Sequence, residues 1–152
     1  MSIQFGTGGW RAVIGDGFTR ANVQLLAWAL CKKMKDEGVA DQGFIIGYDR
    51  RFLSEEAAGW VAEVFAAERV HCSIIHRQSP TPLIMFTLKE LGCAYGLAVT
   101  ASHNPAIYNG VKVFTAGGRD ADETVTQSLE QYLAALSGKT PPTVPFAEAL
   151  RG

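Results

Sequence analysis

Apolar residues recur along the chain in two periods. Behind Thr19, placed as an N-cap, Val23, Leu26, Ala27, Leu30 and Met34 fall at helical spacing, which predicts one apolar face with Lys32, Lys33, Lys35 and Glu37 mostly on the other. Gly38 supplies the stop. Gly43 to Tyr48 is a short continuous apolar run of the kind found in a central strand, and it ends in Asp49-Arg50-Arg51. Ser54 with Glu55 and Glu56 behind it predicts a helix start, because early acidic residues suit the helix dipole, and Ala57, Val61, Val64 and Phe65 form its buried face. Residues 70–75 read as a third strand. Thr81-Pro82 opens a helix carrying Leu83, Phe86 and Leu91, closed by Gly92.

Cys93 to Val99 reads as a buried strand and Gly110 to Phe114 as another, with Lys112 the charged exception among its apolar neighbours. Residues 3–5 and 10–14 read as extended segments on either side of Gly6-Thr7-Gly8-Gly9. A last helix is expected from about Asp122 to Ser137, its apolar side formed by Val125, Leu129, Tyr132, Leu133 and Leu136. Strands alternating with helices predict a three-layer α/β/α domain with a mostly parallel or mixed sheet.

The 152 residues, 47% of them hydrophobic, suffice for one core. The domain is expected to cover residues 1–138. Residues 139–152, rich in proline at the start, read as an interdomain linker or tail. Fourteen basic residues against fifteen acidic leave a net charge of −1, so no bulk field recruits nucleic acid or an anionic membrane. Any anion is bound locally. Cys31, Cys72 and Cys93 are odd in number and lie in apolar segments, which points to buried thiols in a reducing compartment. Neither a secretory leader nor a run long enough to span a bilayer is visible, so a cytoplasmic setting is expected.

Thr100-Ala101-Ser102-His103-Asn104-Pro105 carries the candidate chemistry. It leaves the end of an apolar strand, where α/β sheets place their sites, and delivers a hydroxyl, an imidazole and an amide into a loop stopped by proline. A serine hydroxyl is a poor nucleophile unless a base activates it or a modification turns it into a group carrier. Lys112, on the following strand, is in a position to return to the mouth of that loop. In Gly6-Thr7-Gly8-Gly9-Trp10-Arg11 the glycines let backbone N–H groups approach an anion, with Thr7 and Arg11 adding donors. It is no dinucleotide fingerprint, since Arg11 stands where the last glycine belongs. Asp120-Ala121-Asp122-Glu123 reads as a helix cap rather than a metal loop.

The serine loop, continued through Tyr108-Asn109-Gly110-Val111-Lys112, resembles the active-site loop of the phosphoglucomutase/phosphomannomutase family, the α-D-phosphohexomutases. Phe5 to Arg11 resembles that family's amino-terminal signature, and Gly47-Tyr48-Asp49-Arg50-Arg51 its G-x-D-x-R segment. The resemblance implies the first of four domains. It implies that Ser102 carries a phosphoryl group exchanged between the 1- and 6-oxygens of a hexose phosphate through a bisphosphorylated sugar, with His103 and Lys112 in catalytic roles and Thr7, Arg11 and Arg51 as phosphate-binding candidates. By the same resemblance the complete enzyme takes Mg²⁺, with the Ser102 phosphate as one ligand and the others outside this chain, and a sugar bisphosphate as activator. Its partners are the hexose phosphate and the further domains of the same enzyme. An isolated chain is expected to be inactive. The alternative is a catalytically silent domain of the same fold that binds anions or docks partners. A serine hydrolase is disfavoured, as G-x-S-x-G is missing.

Overall fold

The computed structural model describes residues 3–5, 9–101 and 104–150. Its elements follow in the order β1 (Gly9–Val13), α1 (Arg20–Asp36), β2 (Phe44–Tyr48), α2 (Ser54–Ala67), β3 (Ser73–Ile74), α3 (Thr81–Leu91), β4 (Tyr95–Val99), β5 (Tyr108–Thr115), β6 (Arg119–Asp120), α4 (Glu123–Ala135) and α5 (Phe146–Ala149). The sheet runs β1-β5-β4-β2-β3, with β6 also paired to β5. Strands β3, β2 and β4 are parallel, and β5 is antiparallel to both β4 and β1, so the sheet is mixed.

The large core cluster takes alternate residues of the strands, Trp10, Phe44, Ile46, Tyr48, Leu97, Val99, Val111 and Val113, together with α1, α2 and α4. The opposite face holds Ile45, Ala98 and Phe114 under Ile84 and Leu88 of α3. This two-sided burial explains why β2 and β4 read as continuous apolar runs. Two glycines mark close approaches, one of α3 to the sheet and one of β1 to β5 within it. A Cβ on Gly47 would lie 2.3 Å from Ile84 Cδ1, and one on Gly110 would lie 2.0 Å from the Trp10 carbonyl oxygen.

Helix α1 follows its apolar periodicity, with Val23, Leu26, Ala27, Leu30 and Met34 all within 1% of full burial. Its cap forms as expected, the Asn22 N–H donating to Thr19 Oγ1 at 3.2 Å. Lys33 departs from the expected polar face: it is 5% exposed, and its ammonium donates to Glu37 at 2.6 Å and to Ser128 at 2.9 Å. The packing of α4 against α1 buries the stem, and the ammonium is satisfied at the rim. At the other end of α4, Asp122 caps the helix by accepting the Val125 N–H.

Helix α3 presents a different face from the one expected. Ile84 and Leu88 are buried, whereas Leu83, Phe86 and Leu91 are 40%, 59% and 59% exposed. A short helix covering one side of a sheet needs only one stripe, and the close seat of Ile84 on Gly47 decides which. The expected third strand shrinks to Ser73–Ile74, and residues 3–5 take no strand partner. Past the proline-rich segment the tail is not wholly irregular. It ends in α5, anchored where Glu63 accepts the Phe146 N–H through Oε2 and the Val144 N–H through its main-chain oxygen.

Candidate functional site

Strands β4 and β5 are antiparallel neighbours, so the serine loop is the connection between them, at the carboxyl end of the parallel strands. The Thr100 N–H closes the ladder on the Gly110 carbonyl at 2.9 Å. Farther out the backbone turns on itself, with the Asn104 N–H on the Ala101 oxygen and the Tyr108 N–H on the Pro105 oxygen. Ile14 N–H donates to the Ile107 carbonyl at 2.7 Å and ties the loop to the end of β1. Ser102, His103 and Thr7, with Gly6 and Gly8, lie outside the described residues.

Arg51 holds this loop. Its guanidinium donates through Nη1 to the carbonyls of Pro105 at 2.9 Å and Tyr108 at 3.1 Å, and through Nη2 to that of Asn104 at 2.5 Å. A planar fork with five donors suits three carbonyls turned toward one point, and lysine has no such fork. Asp49 Oδ2 lies 3.9 Å from Arg51 Nε, while Asp49 Oδ1 accepts the Arg51 N–H at 2.9 Å. Arg50, between them, is exposed to solvent. The geometry gives Arg51 a structural task, fastening the loop, beside the phosphate-binding role considered for it.

A buried polar group lies beneath this clamp. Asn109, on β5, is fully buried; its amide donates to the Phe52 carbonyl and to Ser54 Oγ, both at 3.0 Å, while its Oδ1 accepts the Gly110 N–H at 2.8 Å. Ser54 Oγ donates in turn to Asp49 Oδ1 at 2.7 Å. Ser54 is therefore the first helical residue of α2 rather than its cap, and its hydroxyl serves the turn instead of the helix N–H groups. Leu53, the residue before it, adopts φ 68°, a left-handed conformation rare for a branched side chain. Burial, and secondarily the Glu55 carboxylate, raises the pKa of the Tyr48 hydroxyl at the end of β2.

Arg11 and Lys112 share the α3 side of the sheet, since Arg11 faces Gly110 and Gly9 faces Lys112. The Arg11 guanidinium folds back over Gly9, with Nη1 3.8 Å from where a Cβ would stand there. Lys112 pairs across the sheet with Ala98, but its ammonium lies 3.3 Å from Asp120 Oδ1. Asp120 sits level with Phe114 and Gly96, so the amine is turned down the sheet rather than toward the mouth of the loop. The opposite charge on β6 is the reason. Among the described residues no three His, Cys, Asp or Glu side chains converge on a point that could hold a metal ion. These residues do not form a cage for Mg²⁺, which needs a nearly octahedral oxygen set.

Asn109 and Ser54 were not singled out from sequence as site residues. Asn109 is visible in the sequence only as part of the Tyr108-Asn109-Gly110-Val111-Lys112 motif, and Ser54 only as a helix start ahead of two glutamates.

A mixed α/β/α sheet whose strand-end loop is gripped by an arginine from the neighbouring strand end defines a domain built to present that loop. The chain belongs to the phosphoglucomutase/phosphomannomutase family: residues 2–139 match its α/β/α domain I. It is 33% identical over 137 residues to a phosphoglucomutase of Staphylococcus haemolyticus, covering 88% of this chain and 25% of that protein. With a Schizosaccharomyces pombe protein named a probable phosphoribomutase it shares 39% identity over 144 residues, 89% of this chain and 24% of the relative. A solved structure from Thermus thermophilus, assigned as a phosphomannomutase, superposes with a TM-score of 0.84 at 30% identity, over 98% of this chain and 34% of that one. The chain thus spans about a quarter of the length of the curated relatives it matches.

Proposed function

We propose that this chain is the phosphoserine-bearing domain of a phosphohexomutase and that Ser102 carries the phosphoryl group. The observation that supports this reading best is the Arg51 clamp, which holds the backbone on the carboxyl side of Ser102 at three carbonyls. Positioning and electrostatic stabilisation supply most of the catalysis in phosphoryl transfer, so a carrier residue needs a loop held in place.

In the proposed reaction the P–O bond to Ser102 Oγ breaks as a sugar hydroxyl forms a new P–O bond. The sugar hydroxyl gives up its proton and the serine oxygen takes one. The bisphosphorylated sugar then returns its other phosphoryl group to Ser102 by the same exchange in reverse. His103 and Lys112 are the proton-handling candidates. Lys112 must first leave Asp120 to act there. Thr7, Arg11 and the Gly8-Gly9 backbone are the groups proposed to bind the phosphate by donating hydrogen bonds to it, and Arg51 contributes through the loop it holds. Mg²⁺ and the sugar bisphosphate activator belong to the proposal for a longer enzyme, since the described residues hold no cage, and no step is routed through the metal. The setting proposed is cytoplasmic, and among the described residues no helix is long and apolar enough to cross a membrane.

The test is phosphate on Ser102. A longer protein containing this chain, treated with glucose 1,6-bisphosphate, should gain one phosphoryl group that peptide mass spectrometry places on Ser102, and Ser102→Ala should abolish mutase turnover with an unchanged circular dichroism spectrum. The purified 152-residue chain should show no turnover of glucose 1-phosphate. Full activity of Ser102→Ala would refute the carrier assignment.

A further inference from the structure

The contacts under the loop form a closed ring. Asn109 grips the turn after β2 through the Phe52 carbonyl and Ser54 Oγ. Ser54 binds Asp49, and Asp49 receives the backbone N–H of Arg51. Arg51 holds Asn104, Pro105 and Tyr108, and Tyr108 is covalently joined to Asn109. A ring of this kind has no loose end, so moving the loop outward requires breaking a charge-assisted bond or expelling a buried amide from its partners.

Leu53 supports the same conclusion. It lies between the two groups that Asn109 binds, and its left-handed backbone persists only where the surroundings over-determine it. Asn109 supplies that constraint from full burial, with both amide hydrogens and its oxygen engaged.

We propose that Asn109 is a positioning residue for the phosphoryl-carrying loop, acting through the strained Phe52–Ser54 turn and Arg51. This rests on the reading of Ser102 as the carrier. A merely structural asparagine would satisfy the Phe52 carbonyl and affect only global stability. A positioning asparagine controls the loop separately from the core. Aspartate in its place would keep the acceptor for the Gly110 N–H but lose both donors, and would regain one donor when protonated.

Two measurements on Asn109→Ala and Asn109→Asp, with Ser54→Ala as a milder second variant, test this. The first is amide hydrogen exchange in the chain itself. Asn104 and Tyr108 should exchange at least about tenfold faster in the Asn109 variants relative to the Leu30 and Phe65 amides, which follow global opening. Protection in Asn109→Asp should recover as pH falls, and Asn109→Ala should show no such recovery. The second is steady-state kinetics in the longer enzyme, where kcat should fall about 100-fold while KM stays within about twofold, as expected when a reacting group is misplaced by roughly 1 Å. Unchanged loop exchange together with normal kcat would overturn the proposal, and so would a loss shared equally by loop and core. If wild-type Ser102 takes up no phosphoryl group while the variants still loosen the loop, the carrier reading falls and Asn109 stands only as a loop fastener, so the two failures are told apart.

Discussion

Helix α1 and the turns at the carboxyl end of β2 and β4 hold their shape by different physics. Along α1 a stripe of Val23, Leu26, Ala27, Leu30 and Met34 disappears into the core, and non-directional burial sets the position of the helix. At the strand ends, Phe52 and Ile107 are 71% and 61% exposed, so little apolar area is available to organise the backbone. Directed hydrogen bonds from Arg51, Asn109 and Ser54 do so instead. Loss of a methyl group is graded in the first region. Loss of a donor is abrupt in the second, because a directed bond is made or missing as a whole and the Ser54 hydroxyl under Asn109 is buried.

The largest change in global stability is expected from the burial side. Leu30→Ala should cost about 3 kcal/mol by cavity formation, read from urea unfolding, and leave the exchange of Asn104 and Tyr108 unchanged relative to the core. Coupled loosening of the loop at equal global stability would show that the two regions are not separate.

Alkali should come next. Burial pushes the Cys72 thiol up to about 12 and raises Cys31 further, and burial with the hydrogen bond to Glu37 raises the Tyr95 hydroxyl. Each group holds its proton more tightly folded than unfolded. Their contribution is therefore complete below the ordinary thiol and phenol pKa values, and is lost as pH rises above them and the unfolded chain ionises first. Thermal unfolding followed from about pH 8 to 11 should give a falling midpoint above about pH 9; a flat profile would contradict these burials.

Arg51→Lys should have a smaller global effect, within about 1 kcal/mol, since the clamp lies at a half-buried surface. It should nevertheless raise protease sensitivity within residues 104–108, because one ammonium cannot serve three carbonyls. Equal resistance of variant and parent to limited proteolysis would remove the guanidinium fork from the account.

The smallest effect expected is stabilising. Arg69 takes φ 59° just past the end of α2, a position where α1 and α3 use Gly38 and Gly92, and its side chain is exposed. Arg69→Gly should raise stability by roughly 0.5–1 kcal/mol, as glycine adopts this conformation without a Cβ clash. A lower melting temperature would mean that the arginine side chain outweighs its backbone strain.

Periodicity alone located α1, α2 and α4, because each buries a wide stripe whose repeat is written in consecutive turns, and the caps at Thr19 and Asp122 depend on residues only three positions away. The continuous runs of β2 and β4 likewise announced a sheet covered on both faces. The serine loop was visible as a motif, and with it the family. Other features depended on partners remote in sequence. Ile84 rather than Leu83 faces inward because Gly47 leaves it room, Lys33 is buried because α4 crosses α1, and the Lys112 ammonium turns to a carboxylate that only strand pairing brings near. In the ring from Asn109 through Ser54, Asp49 and Arg51 to the loop, the links made by Asn109 to the turn and by Arg51 to the loop join residues 53 to 57 positions apart. Hydrogen bonds of that separation leave no period in the chain, so only the tertiary fold could reveal which side chains grip the loop.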